Sequence, residues 1–590
     1  MQILISIVLA IIGTVGLELQ YLICGQGFSG SLLMLPIVGV IFIAYYFSLK
    51  KQKNFGLCGI AGVLSVIYAS FLDLGMQLDI LTGLVFSILT FLNILLVMIA
   101  IFPFIILLLM WLENGEIKPK ENNAILYKCF IALIMAWCMS YLALFPGVYG
   151  LDAPYWYYEF SHADIGISSQ WSPFYCGVFY FFVRLGERIF HSSVLGFGIF
   201  TFLQMIISLY AVWNILVFIN RKLNEKFVVA ATFFFLVPIH VILALTSAQD
   251  ALFSVCFAMA VLSLIEFVLD EKNFWSKKIN IIKLIIWLCL MCIMRNNGLY
   301  AILVMLAIMF FLRVSKKMLL SLILVVMLVV LYQGPVYNVL GIEKGTAIRE
   351  MLSLPLQQMA YVYNYSENIT DRQRDDMQEY ISDEGWKSYE PCISDHVKSQ
   401  LKVEEVKKNK IEFLRLYLQC FKADPGAYLQ AAGLQTFGLW YPNKVWPDPR
   451  PWHPYIDLLC YNTDGWYGMS FSINRKSLFP AYETLLKNLF GDGVPGDGYG
   501  GNLKMCFTKI PILDSLCQIG TYTCFLIFEF LYAIYKRNKS ILIILGLEIG
   551  LWLTVFLSPV IMYRYCAPFV FSAPLYGSLL LITTREKHRT

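Results

Sequence analysis

Long apolar runs, separated by short polar stretches, dominate the pattern of this sequence. Most of the runs are long enough for a helix of about 20 residues to cross a hydrocarbon layer roughly 30 Å thick. Because no water satisfies the backbone inside a bilayer, these runs predict membrane-spanning α-helices. The predicted spans are 3–23, 31–49, 56–72, 80–112, 125–145, 195–219, 227–246, 251–269, 281–297, 298–313, 317–337, 512–535, 540–558 and 563–584.

Two stretches do not fit a simple series of spans. The run 80–112 is long for one crossing, so we expect either a kink at Pro103 or two separate segments. Residues 173–190 are apolar in their first half but carry an Arg/Glu/Arg cluster in the second half. Such a cluster suits the membrane interface better than the hydrocarbon region.

Basic residues indicate the side of the membrane on which each loop lies. They cluster at Lys50/Lys51/Lys53, Lys118/Lys120, Arg221/Lys222/Lys226, Lys272/Lys277/Lys278, Arg313/Lys316/Lys317, Lys536/Arg537/Lys539 and Arg585/Lys587/Arg589. With the N-terminus in the cytoplasm, every cluster is cytoplasmic if 173–190 and 195–219 together make one net crossing. We therefore expect 173–190 to be partly inserted or to lie in the interface. The alternative is a short true span and one basic loop on the wrong side.

The same topology divides the chain into four parts and places one long polar segment on the extracytoplasmic side. Residues 341–510 hold 40 of the 85 charged residues, with helical patterns and a Gly-rich end. We expect an N-terminal transmembrane extension (1–124), a transmembrane core (125–337), a large extracytoplasmic domain of helices and irregular chain (338–511), and C-terminal spans with a basic cytoplasmic tail (512–590). The first external loop would be 146–172.

Composition supports this class of protein. Of 590 residues, 58% are hydrophobic and only 14% are charged, which is too much apolar surface for a water-soluble chain of this length. We therefore predict an all-α polytopic protein of the cell membrane with about 13–15 transmembrane helices, in contact with lipids and not with nucleic acid. Cys392, Cys420 and Cys460 lie in the polar segment and could pair, but their spacing fixes no connectivity.

Bare carboxylates follow the apolar run that ends at Pro146-Gly147. The segment "LFPGVYGLDAPYWYYEFSHADIG" carries Asp152, Glu159, His162 and Asp164 among aromatic residues, with no Lys or Arg. A carboxylate at an apolar boundary could act as a general base toward a hydroxyl, or bind a divalent cation such as Mg²⁺ or Mn²⁺. The alternative is that Asp152 only caps a helix that begins at the following Ala-Pro.

Three more polar groups lie at junctions on the same predicted side. They occur in "TSAQDALF", "MRNNGLY" and "SPVIMYRYCAP", and the residues concerned are Asp250, Arg295 with Asn296 and Asn297, and Arg564. Asp250 could simply cap the next span. Each Arg alone could anchor a helix at the interface, but an Arg fork also suits a phosphate group. Two arginines that face Asp152 would make a site for a lipid phosphate.

Two carboxylates, Glu529 and Glu548, fall inside late spans, where acids are rare. They could pair with Arg184 or with another span, or be protonated. The sequence leaves these alternatives open.

The order of several motifs resembles the GT-C superfamily of membrane glycosyltransferases and, more closely, one branch of bacterial polytopic membrane proteins. The motifs are "FPGVYGLD", "QDALFS", "RNNGLY", "LPLQQMAYVY", "SDHVK", "WYP" and "YRYCAP", over roughly residues 125–584. In that superfamily an acid of the first external loop is needed for catalysis, which corresponds here to Asp152. Relatives often have His-Pro where this chain has Ser172-Pro173. Some also have two adjacent acids, whereas Asp152 is followed by Ala153; whether Glu159 or Asp164 substitutes stays open.

The resemblance implies a membrane glycosyltransferase of envelope polysaccharide biosynthesis. Its donor would be a sugar on a polyprenyl phosphate and its acceptor a glycan or another envelope molecule, with Asp152 as the base and inversion at the anomeric carbon. Arg295 and Arg564 would hold the donor phosphate, supported by Glu159, His162, Asp164, Asp250, Asn296 and Asn297. Two alternatives are a glycan polymerase or ligase that uses a polyprenyl-diphosphate oligosaccharide, and a lipid or glycan flippase.

Overall fold

The computed structural model describes residues 1–24, 31–51, 54–81, 83–85, 87–115, 117–150, 152–162, 166–343, 347–442, 473–490, 507 and 510–586. These residues are almost entirely α-helical. Because the apolar runs close their own backbone hydrogen bonds as helices, they can pack side by side into one bundle.

The first half of the chain forms sixteen helices and one short strand. The helices are α1 (Gln2–Ile23), α2 (Ser31–Lys51), α3 (Phe55–Ile80), α4 (Ile88–Asn114), α5 (Asn123–Leu144), α6 (Ala153–Ser161), α7 (Pro173–Phe190), α8 (Ser193–Lys222), α9 (Glu225–Leu236), α10 (Pro238–Ala244), α11 (Asp250–Leu269), α12 (Glu271–Ser276), α13 (Lys278–Met294), α14 (Asn297–Phe311), α15 (Lys316–Leu331) and α16 (Tyr337–Val339). A π-helical turn, Tyr332–Val336, joins the last two. The strand β1 is Ile167–Ser168.

The second half begins with a domain of short helices and returns to the bundle. Strand β2 (Ile342–Glu343) pairs with β1 in parallel. The helices are α17 (Ala347–Met351), α18 (Ser353–Tyr365), α19 (Asp371–Gln378), α20 (Asp383–Lys387), α21 (Asp395–Ser399), α22 (Val403–Lys408), α23 (Lys410–Ala423), α24 (Pro425–Trp440), α25 (Pro480–Phe490), α26 (Pro511–Cys517), α27 (Ile519–Tyr535), α28 (Lys539–Phe556) and α29 (Tyr563–Glu586). We call α17–α24 the polar domain.

The helices confirm an all-α polytopic membrane protein. Within the described ranges, nine helices are long and apolar enough to cross a membrane: α1, α3, α4, α5, α8, α11, the run Lys316–Val339, α28 and α29. A tenth span is formed if the bent pair α9 and α10 counts as one, and α14, α27 and part of α2 are shorter apolar helices. The larger count of 13–15 spans stays a prediction.

The predicted boundary between the third and fourth spans is wrong. Helix α3 continues to Ile80 instead of ending near 72, and α4 is a single helix that starts at Ile88 and includes Pro103. The polar residues that marked a loop are buried partners of one another: Asn93 donates to Asp73 over 2.5 Å, and Gln77 donates to the same carboxylate over 3.0 Å. Because these side chains satisfy each other, the helix does not need to end at them.

The predicted span 227–246 is broken. Helices α9 and α10 meet at Val237-Pro238 with a bend of 60°. Proline inside a helix kinks or breaks it, because it lacks an N–H and its ring clashes with the preceding turn. Trp137 of α5 donates its indole N–H to the Phe235 carbonyl, 3.1 Å away, and so satisfies a group near the break. As a result α10 turns into the protein, where all of its residues after Pro238 are buried.

Residues 173–190 form the helix α7, which is not among the nine candidate spans. It makes a hairpin with α8, and the two backbones touch where Gly186 meets Gly196: a Cβ on Gly186 would lie 2.4 Å from the Gly196 Cα. Arg184 pairs with Glu187 on the exposed side of α7. The interfacial position of this helix stays a prediction.

The polar domain has its own small core and contacts the bundle at one end. Trp386 is fully buried in this core and donates its indole N–H to the Met377 carbonyl. The loop before α29 receives two bonds from the domain: the Ser394 N–H donates to the Pro559 carbonyl over 2.9 Å, and the Gln435 amide donates to the Ser558 carbonyl over 2.8 Å. The domain therefore lies over the end of the bundle at which α29 begins.

Two of the three cysteines of the polar segment are not joined by a disulfide bond. Cys420 is a buried thiol whose sulfur contacts the Met377 sulfur at 4.0 Å, so it is not joined to Cys392. Cys460 lies outside the described residues, as do most of the residues of the Gly-rich stretch and Asp164.

Close packing of α14 against α28 gives a first prediction. A Cβ on Gly550 would lie 2.7 Å from the Ala301 Cα, whereas a Cβ on Gly59 of α3 would meet nothing within 4 Å. Overpacking costs about 1–3 kcal/mol, so we expect Gly550→Leu to lower the melting temperature in detergent. The matched control Gly59→Leu should melt like the wild type. Equal melting temperatures for both variants would contradict this packing.

Candidate functional site

Four charged side chains from four separate parts of the chain meet at one end of the bundle. Arg564 donates from Nη1 to the Asp152 carboxylate over 2.9 Å, and the same atom lies 3.9 Å from an Asp250 oxygen. Arg295 forms an ion pair with the other oxygen of Asp250. We call these four residues the charged cluster; with two carboxylates and two guanidinium groups it is formally neutral.

Burial differs across the charged cluster. The Asp250 side chain is fully buried and that of Arg564 is 8% exposed, whereas the side chains of Arg295 and Asp152 are 17% and 24% exposed. Removing charges from water is expensive unless they are paired, so Asp250 and Arg295 must stay together. Asp152 is the acid that a molecule from outside can reach.

One aromatic ring joins the two arginines. The guanidinium carbons of Arg295 and Arg564 lie 4.6 and 4.9 Å from the centre of the Tyr565 ring. A cation over an aromatic face is stabilised by the negative potential of the ring. Tyr565 therefore helps to hold two like charges close together.

Asp152 does not act as a helix cap. It precedes the first residue of α6, but its side chain makes no capping hydrogen bond and points to Arg564 instead. Pro154 removes one of the N–H groups that a cap would satisfy. Asp250 also lies in a first helical turn, where its carboxylate is held by Arg295 and not by the backbone. Of the two readings left open by the sequence, the structure excludes simple capping for both acids.

A pair of hydrogen-bonded loops brings the two acids together. The Val148 N–H donates to the Leu245 carbonyl, and the Ser247 N–H donates back to the Val148 carbonyl. The Ser247 hydroxyl then donates to the Gly150 carbonyl over 3.0 Å. These bonds have the pattern of a short parallel β-bridge, and they hold the loop before α6 against the loop before α11.

A glycine permits this approach. Gly147 has φ +126°, and a Cβ there would lie 2.6 Å from a Thr201 side-chain carbon and 2.7 Å from the Leu245 carbonyl oxygen. Only glycine adopts such a conformation without strain. The Thr201 hydroxyl donates to the Pro146 carbonyl, which fixes the same turn against α8.

A buried polar network holds the second loop from behind. The Gln204 amide donates to the carbonyls of Ala244 and Thr246, 2.9 Å from each, while its oxygen accepts from the Tyr175 hydroxyl. The Ser172 N–H donates to the side-chain oxygen of Gln249, the residue before Asp250. Ser172 also caps α7 through its hydroxyl, and so links the start of this helix to the loop before Asp250.

The reversal predicted at Arg295 is confirmed. Helix α13 ends at Met294 and α14 begins at Asn297, with Arg295 in an extended conformation between them. The Asn296 oxygen accepts from the Gln333 amide over 2.9 Å, and the Asn297 amide donates to the Thr554 hydroxyl over 3.0 Å. Both asparagines therefore fix the helix ends that carry Arg295, but neither joins the charged cluster.

The other acids and the histidine of the first loop lie elsewhere. His162 is exposed and its ring contacts the Tyr158 ring and carbonyl. Glu159 is buried in the last turn of α6; burial raises its pKa to about 7, although hydrogen bonds from the Ser168 backbone and the Tyr155 hydroxyl oppose this. Asp164 is outside the described residues.

Sequence reasoning missed the residues that assemble the cluster. Tyr565 was adjacent to Arg564 in "YRY", an aromatic–basic pair that could have indicated a cation–π contact. Gln204 and Tyr175 gave no local signal, because each is a polar residue inside a helix whose partner comes from another helix. Such pairings need the tertiary fold.

A divalent ion at Asp152 would lie beside the Arg564 guanidinium group, whose like charge would oppose its binding. Dependence on Mg²⁺ or Mn²⁺ stays a prediction that titration with a chelator can test.

Comparison with known proteins identifies the family. The profile of a family of unknown function, DUF6020, matches residues 173–590, which is more than two thirds of the chain. The protein belongs to this family. The matched region contains Asp250, Arg295 and Arg564, whereas Asp152 lies before it. Searches of the curated proteins and of the solved structures found no match.

The Arg295–Asp250 pair gives a prediction for stability. Asp250→Asn leaves the Arg295 charge at a buried site without its acid, which typically costs about 3–5 kcal/mol. We expect a large fall in the melting temperature. The control is Glu412→Gln, which removes an exposed pair with Arg415 in the polar domain and should change little. Similar small decreases in the melting temperature of both variants would show that the Arg295–Asp250 pair contributes no more to stability than an exposed pair.

Glu159 gives a prediction for pH. Between about pH 4.5 and pH 7 the folded protein holds a proton that the unfolded chain has released, so stability falls as pH rises through this window and then levels off. Glu159→Gln should flatten this profile in melting curves recorded across the window. The exposed control Glu384→Gln should keep the wild-type slope. An unchanged slope in Glu159→Gln would place the titrating group elsewhere.

Proposed function

We propose that this protein is an integral membrane glycosyltransferase with a GT-C-like fold, which transfers a sugar from a polyprenyl-phosphate donor to a glycan or another envelope acceptor. The observation that carries the proposal is the contact of Asp152 with Arg564 beside the Arg295–Asp250 pair. An accessible acid and two converging arginines at a membrane boundary are the groups that such a transfer requires.

The arginines supply the site for the donor phosphate. Each guanidinium group presents parallel N–H donors that match phosphate oxygens. The apolar helices α14 and α29 begin beside the arginines, and the tail of the lipid would lie along them. Asp152 occupies one donor of Arg564 in this structure. A phosphate that arrives from the membrane would compete for that donor and release Asp152, while Asp250 would keep Arg295 in place.

The released carboxylate would then act as the base. Asp152 takes the proton of the acceptor hydroxyl, whose oxygen attacks the anomeric carbon from the face opposite the phosphate. The new C–O bond forms as the bond from the anomeric carbon to the phosphate oxygen breaks, and its electron pair leaves with the polyprenyl phosphate. The configuration is inverted. Base catalysis contributes about 10²–10⁴-fold, and the arginines stabilise the charge that develops on the leaving phosphate.

The polar domain would select the acceptor. It is bonded to the loop before α29, and β2, which precedes it in the chain, pairs with β1 of the first loop, where the Ser169 N–H donates to the Glu343 carbonyl over 2.8 Å. The first loop contacts the chain that leads into the polar domain, and the loop before Arg564 contacts the domain itself. We place this side of the protein outside the cytoplasm because its junctions carry few basic residues while the opposite loops carry many.

Transport is the second candidate, and a specific observation favours it. Flippases and transporters use broken helices and buried ionisable residues within the membrane. The bent pair α9–α10 is a broken helix, and Glu529 and Glu548 are buried acids. Movement of a lipid-linked sugar across proteoliposomes without any bond chemistry would support this class. A polymerase or ligase would instead consume a polyprenyl-diphosphate oligosaccharide.

The proposal predicts the effect of Asp152→Asn. The amide has the size of the acid and can still accept a hydrogen bond from Arg564, and Asp250 stays 3.9 Å from that guanidinium group, so we expect a smaller loss of stability than in Asp250→Asn and a folded protein. Without a base, transfer should slow by about 10²–10⁴-fold. The assay is consumption of synthetic polyprenyl-phosphate hexoses in proteoliposomes supplied with an envelope glycan fraction, with binding of the same lipids followed by native mass spectrometry.

The matched control is Asp371→Asn, an exposed acid of the polar domain that should leave turnover and binding unchanged. Near-normal turnover in Asp152→Asn would remove this residue from the mechanism. Wild-type protein that consumes only diphosphate-linked oligosaccharides would favour the ligase.

A further inference from the structure

Two carboxylates lie inside the helix bundle without a counter-charge. Glu529 of α27 is 1% exposed and Glu548 of α28 is 3% exposed. Neither forms an ion pair, and both Glu529 oxygens and one Glu548 oxygen have no hydrogen-bond partner among the described residues. Arg184, one partner considered from the sequence, pairs instead with Glu187. The structure therefore leaves two acids that the charged cluster does not use.

A third polar group points at the same place. The Tyr576 hydroxyl of α29 is buried and lies beside the Glu548 carboxylate, beyond the distance of an ordinary hydrogen bond and within electrostatic range of both carboxylates. Helices α27, α28 and α29 pack against one another. Three polar side chains from three helices therefore converge in the bundle interior with unused hydrogen-bonding capacity.

Among the described residues, the basic side chains of the surrounding helices lie at helix ends. Helices α3, α4, α11, α14 and α24, which pack against these three, contain no Lys, Arg or His, and α8, which packs against α29, has Arg221 and Lys222 in its last turn. The basic residues of α28 and α29 lie near their ends, at Lys539, Arg564 and Arg585. The other ionisable group that faces Glu529 is the Tyr68 hydroxyl of α3, which is bonded to the Cys524 carbonyl. An ionised pair here would be two bare charges in apolar surroundings, which is far more costly than binding a proton.

A line of polar groups leads from the pair to one end of the bundle. Glu529, Tyr532 and Lys536 are three and then four residues apart, so they share one face of α27. The Tyr532 hydroxyl donates to one Glu113 oxygen over 2.6 Å, and Lys536 donates to the other over 2.5 Å. Lys536 is thus neutralised by Glu113, at the end of α27 that carries the basic residues.

We propose that Glu529, Glu548 and Tyr576 form an intramembrane proton-binding site that exchanges with the Lys536 end of the bundle through Tyr532 and Glu113. At neutral pH the two acids together hold at least one proton. It is separate from the charged cluster: Tyr576 is twelve residues from Arg564 along α29, or roughly 18 Å at the rise of an α-helix. Uptake and release of this proton neither require nor involve the proposed transfer reaction.

Infrared spectroscopy of the purified full chain tests the site. A protonated carboxyl gives a C=O stretching band that a carboxylate lacks, and an exchangeable proton shifts this band in D₂O. Because Glu159 also binds a proton near neutral pH, the background protein is Glu159→Gln. We expect a D₂O-sensitive band that loses intensity in Glu529→Gln and in Glu548→Gln and disappears in the double variant. The control Glu384→Gln, at an exposed acid, should keep it.

The result that would overturn the proposal is a spectrum that is identical in the background protein and the double variant. Loss of the band on addition of NaCl but not KCl would also overturn it, because the site would then bind sodium. If a variant does not fold, background protein labelled with ¹³C-Glu decides: a band that shifts with both the label and D₂O above neutral pH supports the site, and no such band refutes it.

Discussion

The structure depends on neutralising two arginines at the end of the helix bundle that the polar domain covers. Arg564 is almost fully buried and Arg295 is mostly buried, and neither can return to water without withdrawing a helix end from the protein. Asp250 and Asp152 provide the two negative charges, so the helix starts at 250 and 563, the reversal at 295 and the loop before α6 must meet. The turn at Gly147, the β-bridge between the two loops and the network around Gln204 are the means by which the chain brings them together.

The same requirement makes the cluster a reasonable binding site. A neutral set of two acids and two bases can exchange one carboxylate for a phosphate without leaving a bare charge, which a fully buried pair could not do. The more exposed acid is the one that can leave, and the fully buried one keeps its arginine in position. In the mechanism that we propose, the difference in burial between Asp152 and Asp250 decides which acid leaves its arginine when the phosphate binds. The polar domain would then control access to Asp152, the more exposed acid.

The parts of this arrangement that depend on local chemistry could be predicted from the sequence. Hydropathy predicted most spans, because a helix in lipid needs an apolar run, and Asn296-Asn297-Gly298 marked the reversal because such residues favour tight turns. Helix α3 was predicted too short, since polar side chains at 73 and 77 find partners on α4 that no local pattern shows. The break at Val237-Pro238 was missed because long apolar stretches on both sides of the proline give the hydropathy of one continuous span. The proximity of the acids and arginines followed from topology alone, whereas the choice of partners, with Arg295 on Asp250 and Arg564 on Asp152, required the fold.

The most direct test of the central claim is a structure, determined by electron microscopy, of the protein in lipid nanodiscs with a synthetic polyprenyl phosphate. The account predicts that the phosphate lies between the guanidinium groups of Arg295 and Arg564, that Asp152 has separated from Arg564, and that Asp250 still holds Arg295. A bound lipid whose phosphate lies elsewhere, with the Asp152–Arg564 pair intact, would contradict it.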